Sequence, residues 1–127
     1  MELPLCGQKI YTEYRKRKEE SKGGVIMEYA TLSNGVKMPM AGIGTFLLTP
    51  DEAENAVLHA LKEGYRLIDT ANAYVNEKAV GRAMKKSGVD RSEFFLETKL
   101  WPSFYEQDDA VEKTLARLDT DYIDLLL

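Results

Sequence analysis

Three side chains in this sequence have the types and spacing needed to build a tuned proton donor: Asp69, Tyr74 and Lys99. Asp69 falls near the end of a short apolar run at 65–70, and Lys99 near the end of another at 94–100. In parallel α/β folds reactive side chains sit at the carboxyl ends of strands, and neighbouring strands lie about 4.8 Å apart. If the two runs are adjacent strands, Asp69 and Lys99 face each other across the strand ends. Tyr74, on the loop that follows, is then free to fold back over both. A phenol, with an unperturbed pKa of about 10, is a poor acid at neutral pH. A neighbouring ammonium favours the phenolate, and a carboxylate beyond it keeps the ammonium charged and in place. Such a group suits protonation of a carbonyl oxygen as hydride arrives at carbon, or the reverse proton abstraction in alcohol oxidation. The bland alternative is a plain structural ion pair, common at strand ends, and spacing alone leaves both readings open. Glu97 lies two residues before Lys99, so strand alternation puts it on the same side as a second carboxylate.

The elements that must position these residues are legible from period and punctuation. Asn34-Gly35 between extended runs at 29–32 and 36–38 predicts a hairpin. Residues 40–46 predict a short apolar strand with two glycines. Thr49-Pro50-Asp51-Glu52 predicts a helix start, with Thr49 as cap, Pro50 in the first turn and acids at the positive end. The apolar stripe of that helix is Ala53, Ala56, Val57, Ala60 and Leu61, closed by Gly64. A second helix carries Ala79, Val80, Ala83 and Met84 and is closed by Gly88; a third carries Ala110, Val111, Thr114, Leu115 and Leu118. The runs at 65–70, 94–100 and 122–127 read as buried parallel strands.

The order is therefore a hairpin followed by β-α-β-α-β-α-β, which implies right-handed crossovers and a parallel sheet covered by helices. Two architectures fit that order: a doubly wound open sheet, or a partial (β/α)8 TIM barrel. Gly42 and Gly44 test the first. The third glycine of a G-x-G-x-x-G fingerprint would fall at position 47, which is Leu47, so the open-sheet dehydrogenase reading weakens. These glycines instead predict a tight strand end that approaches a cofactor or the barrel wall.

Composition sets the outer bounds. The chain has 127 residues, 44% hydrophobic and 30% charged, enough apolar material for a core. A net charge of −4 gives no general affinity for nucleic acid or anionic membrane, and no apolar run approaches a membrane span. The basic run Arg15-Lys16-Arg17-Lys18 continues straight into Glu19-Glu20 and reads as a solvated segment. One cysteine, Cys6, and one histidine, His59, exclude an internal disulfide and a Cys/His zinc site; a reducing, cytoplasmic setting is expected.

Taken together, several segments resemble the aldo-keto reductases. They are Gly42-Ile43-Gly44-Thr45-Phe46; Gly64-Tyr65-Arg66-Leu67-Ile68-Asp69-Thr70-Ala71 with Tyr74, Glu77 and Val80-Gly81; Thr98-Lys99-Leu100-Trp101; and Leu118 with Tyr122-Ile123-Asp124-Leu125. The resemblance runs over residues 28–127 with the motifs in order. It implies the N-terminal part of a (β/α)8 barrel with a hairpin at its bottom, and NADPH-dependent reduction of a small-molecule aldehyde or ketone. By motif, Asp69, Tyr74 and Lys99 are similar to three members of the family's catalytic tetrad. Its histidine would follow the run Asp124-Leu125-Leu126-Leu127, and His59, within a helix, is no substitute. Gly44, Thr45, Phe46 and Asp69 match cofactor-side positions, and Phe46, Tyr74 and Trp101 match walls of the substrate pocket; for Trp101, plain packing is an equal reading.

Residues 1–26 have no counterpart in that pattern. Residues 11–21 read as a weak helix, broken at Gly23-Gly24, and the barrel pattern starts just after Met27. Lys22-Gly23-Gly24 is compatible with a purine-rich ribosome-binding run, so one expectation is that Met27 is the true start. The remaining expectation concerns the open end. A raw apolar strand at 122–127 reads as an incomplete barrel, inactive alone, or as a non-catalytic half-barrel that self-associates through its edges.

Overall fold

The computed structural model describes residues 27–127. The weak helix at 11–21, the Gly23-Gly24 break, the basic run, Cys6 and the start-site question all lie outside the described residues.

The hairpin pairs β1 (Tyr29–Thr31) antiparallel with β2 (Lys37–Pro39), Ala30 opposite Met38. Ser33, Asn34 and Gly35 turn the chain between them. Leu32 N–H bonds the Val36 carbonyl at 2.8 Å, and the Asn34 side chain accepts from Val36 N–H at 3.1 Å. A parallel sheet follows: β3 (Ile43–Gly44), β4 (Leu67–Asp69), β5 (Phe95–Thr98) and β6 (Leu125–Leu126), in that spatial order. The helices α1 (Pro50–Lys62), α2 (Glu77–Ser87) and α3 (Ala110–Leu118) alternate with the strands, and α2 packs between the other two. This is the expected order of elements, an α/β fold with each strand beside its sequence neighbour.

The helices start and stop for local reasons. Thr49 caps α1 by accepting from Glu52 N–H at 3.3 Å, and the Glu52 carboxylate returns a bond to Thr49 N–H at 2.9 Å. That reciprocal box satisfies two donors the first turn would leave bare. The thread on which α3 ends is different. Asp119 takes a left-handed φ of 52°, and no glycine marks the stop.

Side chains of the outward strand face meet the helices in one core. Ile68 and Leu96 are fully enclosed and stand opposite each other in register. Val57 and Leu61 of α1, Val80, Ala83 and Met84 of α2, and Leu118 of α3 close over them with Phe94. Each enclosed Leu or Ile contributes about 2 kcal/mol of transfer free energy. Val111, expected on the α3 stripe, is exposed instead, because the helix turns Ala110, Thr114 and Leu118 inward. Two glycines are required by close approach. A Cβ on Gly42 would stand 2.5 Å from the Leu67 carbonyl oxygen, and one on Gly81 would stand 2.6 Å from the Leu118 carbonyl oxygen. Gly42 thus lets the chain press against the neighbouring strand, and Gly81 lets α2 press against the end of α3.

The strands are shorter than the apolar runs that announce them. At the two edges of the sheet, β3 and β6 have a partner on one side only, and the ladder there shrinks to two residues. Among the described residues no helix is long and apolar enough to cross a membrane, and no group of His, Cys, Asp and Glu is placed to hold a metal.

Candidate active site

Parallel register sets the site. Gly44 stands opposite Asp69 and Asp69 opposite Glu97, so three adjacent strands end at the same level. Asp69 is the last residue of β4, and Lys99 follows the last residue of β5. Lys99 Nζ donates to Asp69 Oδ1 and lies 3.1 Å from the Thr70 carbonyl oxygen. A second carboxylate, Glu97 Oε1, stands 3.9 Å from the same nitrogen.

Tyr74 arrives over this pair on a turn of 3₁₀-helix, Asn72–Tyr74, directly after β4. Lys99 Nζ sits 5.5 Å from the centroid of the Tyr74 ring. Phe46 packs against the tyrosine, with ring centroids 5.1 Å apart and planes tilted by 56°. Two exposed residues at this mouth hold backbone that side chains seldom adopt: Leu47 at φ 60° and Val75 at φ 58°. For a β-branched residue such as Val75 this conformation is costly. It turns the chain directly after Tyr74.

Beneath the mouth lies a closed hydrogen-bond cluster. Thr45 and Thr70 are fully buried and their hydroxyls are 2.9 Å apart. The Asn76 amide donates to the carbonyls of Thr45 and Leu48 at 2.8 and 3.0 Å, tying the β3 loop to the start of α2. Thr45 therefore comes beside Asp69, whose carbonyl accepts from its N–H at 3.0 Å, but its side chain is turned inward. Gly44 and Phe46, the residues flanking it, are exposed at the mouth. Trp101 is on the loop after β5 with 60% of its surface exposed; its backbone N–H donates to Asn72 Oδ1 at 3.0 Å. His59 is exposed on α1, away from the strand ends. Asn76 and Val75 carry no signal in the sequence, since a buried Asn and a left-handed Val follow only from tertiary contacts.

Two groups at the mouth are shifted. Burial pushes the Glu97 carboxyl up, the charge of Asp69 adds to this, and Lys99 opposes it. For Lys99 burial pulls downward, but the Asp69 hydrogen bond and the charges of Asp69, Tyr74 and Glu97 outweigh it and leave the ammonium above its usual value. The lysine is thus held protonated at neutral pH by its carboxylates.

Known proteins share this arrangement of segments. A family model described as the aldo/keto reductase family matches residues 40–127. Morphine 6-dehydrogenase of Pseudomonas putida is 46% identical over 99 residues, which is 76% of this chain and 33% of that protein. Glycerol 2-dehydrogenase (NADP(+)) of Saccharomyces cerevisiae is 48% identical over 98 residues, 76% of this chain and 31% of that protein. Among solved structures, an aldo/keto reductase from Brucella melitensis superposes with a TM-score of 0.76 at 43% identity, covering 82% of this chain and 42% of that one. An aldo-keto reductase of Bombyx mori, solved in complex with NADP, superposes with a TM-score of 0.76 at 34% identity, covering 81% of this chain and 38% of that one. The chain spans about a third of the length of these curated relatives. Matched over most of its length in sequence and in fold, the chain belongs to the aldo/keto reductase family.

Proposed function

We propose that the protein takes part in NADPH-dependent reduction of a small aldehyde or ketone to the alcohol, with Tyr74 as general acid. The observation that carries this reading is the Lys99 ammonium, held by Asp69 and lying 5.5 Å from the Tyr74 ring centroid at the ends of two strands. As the carbonyl carbon is reduced, its oxygen takes the phenolic proton. The phenolate left behind is stabilised by Lys99, whose charge is in turn kept by Asp69. Phe46 and Tyr74 offer an apolar wall for substrate beside the proton donor, and Trp101, further along the rim, offers a second apolar surface.

The residues present fit the ribose end of a nicotinamide dinucleotide. Gly44 has no side chain, and the space that a Cβ would take lies 3.9 Å from Asp69 Oδ2, so a sugar hydroxyl has both room and an acceptor there. Bound NADPH supplies the hydride. Gly44, Thr45, Phe46 and Asp69 would hold it on this side, with Thr45 acting through the loop it anchors.

The test is NADPH consumption with a generic aldehyde by the protein and by Tyr74→Phe. Turnover should fall by about 100-fold or more in the variant, the range of a lost general acid. Equal turnover in Tyr74→Phe overturns the reading. So does a complete absence of turnover, both in the chain alone and with the C-terminal part of a relative's barrel supplied in trans.

A further inference from the structure

The proton-donor scheme uses one carboxylate on Lys99, but the fold brings two. Cα register puts Glu97 opposite Asp69, and paired residues point to the same face of a sheet. Lys99, two residues on, returns to that face. Its nitrogen is hydrogen-bonded to Asp69 and 3.9 Å from Glu97 Oε1, a distance for charge attraction rather than a hydrogen bond. The two acids differ in environment: the Glu97 side chain is 12% exposed and that of Asp69 is 38% exposed. Across the other ladder Glu97 faces Leu125, which brings no charge. Among the described residues, the charged groups bearing on it are Asp69, from β4, and Lys99, just past the end of its own strand.

We propose that Glu97 is a second, pH-responsive carboxylate beneath Lys99 that sets how much of the ammonium's charge acts on Tyr74. The proposal rests on the reading of Tyr74 as general acid. When Glu97 is ionised, its charge offsets part of the Lys99 field. When it takes a proton, Lys99 stands against Asp69 alone, and more of its charge is free to stabilise a phenolate. Burial first, and then the negative charge of Asp69, push this carboxyl up, so the change falls at milder acidity than for an ordinary glutamate. Proton donation strengthens as pH falls through that midpoint. Glu97 touches neither substrate nor cofactor in this scheme; it is a positioning residue that works through Lys99.

The deciding experiment is side-chain NMR titration of the protein with labelled lysine and glutamate, the Lys99 signal assigned by its loss in Lys99→Met. In Glu97→Gln the Lys99 midpoint should move down, since one of the charges that raise it is gone. A Lys99 midpoint left unchanged in folded Glu97→Gln overturns the proposal. If Glu97→Gln does not fold, the reciprocal measurement decides: in Asp69→Asn the Glu97 midpoint falls, and a fixed midpoint overturns the proposal. In an active preparation, reduction should rise on mild acidification by on the order of threefold, the effect of one nearby charge at a partly solvated site, and Glu97→Gln should abolish that rise. These titrations read Glu97 directly, whereas the Tyr74→Phe turnover reads the reaction, so either idea can fail without disguising the fate of the other.

Discussion

Two acid–base pairs flank the end of β5, one on each side of the sheet, and the two are built differently. On the helix side, Glu77 at the start of α2 is enclosed, with its side chain only 1% exposed. Both of its oxygens are taken: Thr98 donates at 2.8 Å and Arg117 of α3 at 2.6 Å. On the inner side, Asp69 and Lys99 are paired but still 38% and 31% exposed, with Tyr74 above them and Glu97 below. A carboxylate with both oxygens bonded and almost no exposed surface is a rivet between elements. One that keeps an open side beside a phenol is available for chemistry. Thr98 and Lys99 are neighbours in sequence, so alternation alone sends one to each task.

The sharpest way to break that contrast is to remove the rivet. Glu77→Ala should cost about 3 kcal/mol, because it strands the Arg117 guanidinium and the Thr98 hydroxyl, measured by urea unfolding. Asp69→Asn should cost less than about 1 kcal/mol in the same assay, as partly exposed pairs do, while lowering reductase turnover. Equal losses of stability would erase the distinction between the two faces.

A smaller effect is expected where α2 meets the end of α3. Gly81→Ala puts a methyl group 2.6 Å from the Leu118 carbonyl oxygen, and the helices must part. A loss of about 2 kcal/mol should exceed the gain in helix propensity, read as a lowered Tm. A stabilised Gly81→Ala would show that this crossing has slack and that Glu77 and Arg117 are held less tightly than their distances indicate.

The smallest effect sharpens the inner face. Native Glu97 binds its proton more tightly than the unfolded chain does, since burial and Asp69 raise it. Between the unfolded and native midpoints the native state carries the extra proton, so its contribution is full below the unfolded value and is lost as pH rises through the native one. Glu97→Gln should remove that decline and add less than about 1 kcal/mol at neutral pH, the scale of a partly solvated charge. Urea unfolding at several pH values across the mildly acidic range checks the slope.

Much of this fold is legible in the sequence alone. The helices declared themselves through stripes such as Ala53, Val57 and Leu61 and through the Thr49 cap, because period and capping are properties of a few consecutive residues. Asp69 and Lys99 could be placed at neighbouring strand ends, since alternating elements leave few topologies. Other features left no local trace. The end of α3 is set by a left-handed Asp119 where glycine would be the readable signal. Val111 fits the apolar stripe by spacing but lies beyond the part of α3 that the core covers. The edge strands β3 and β6 shrink because a ladder needs a partner, and the length of an apolar run does not report one.

The sequence by itself determined the order of elements and the family resemblance, because these follow from short-range pattern and motif. Only the tertiary structure decided which charges are spent and which remain available. Glu77 pairs with Arg117 on a later helix, and Thr45 and Thr70 turn their hydroxyls toward Asn76. Lys99 settles between two carboxylates of different depth. Each outcome depends on register and burial between strands and helices distant in sequence, and a carboxylate's chemistry is set by what surrounds it rather than by its own spacing.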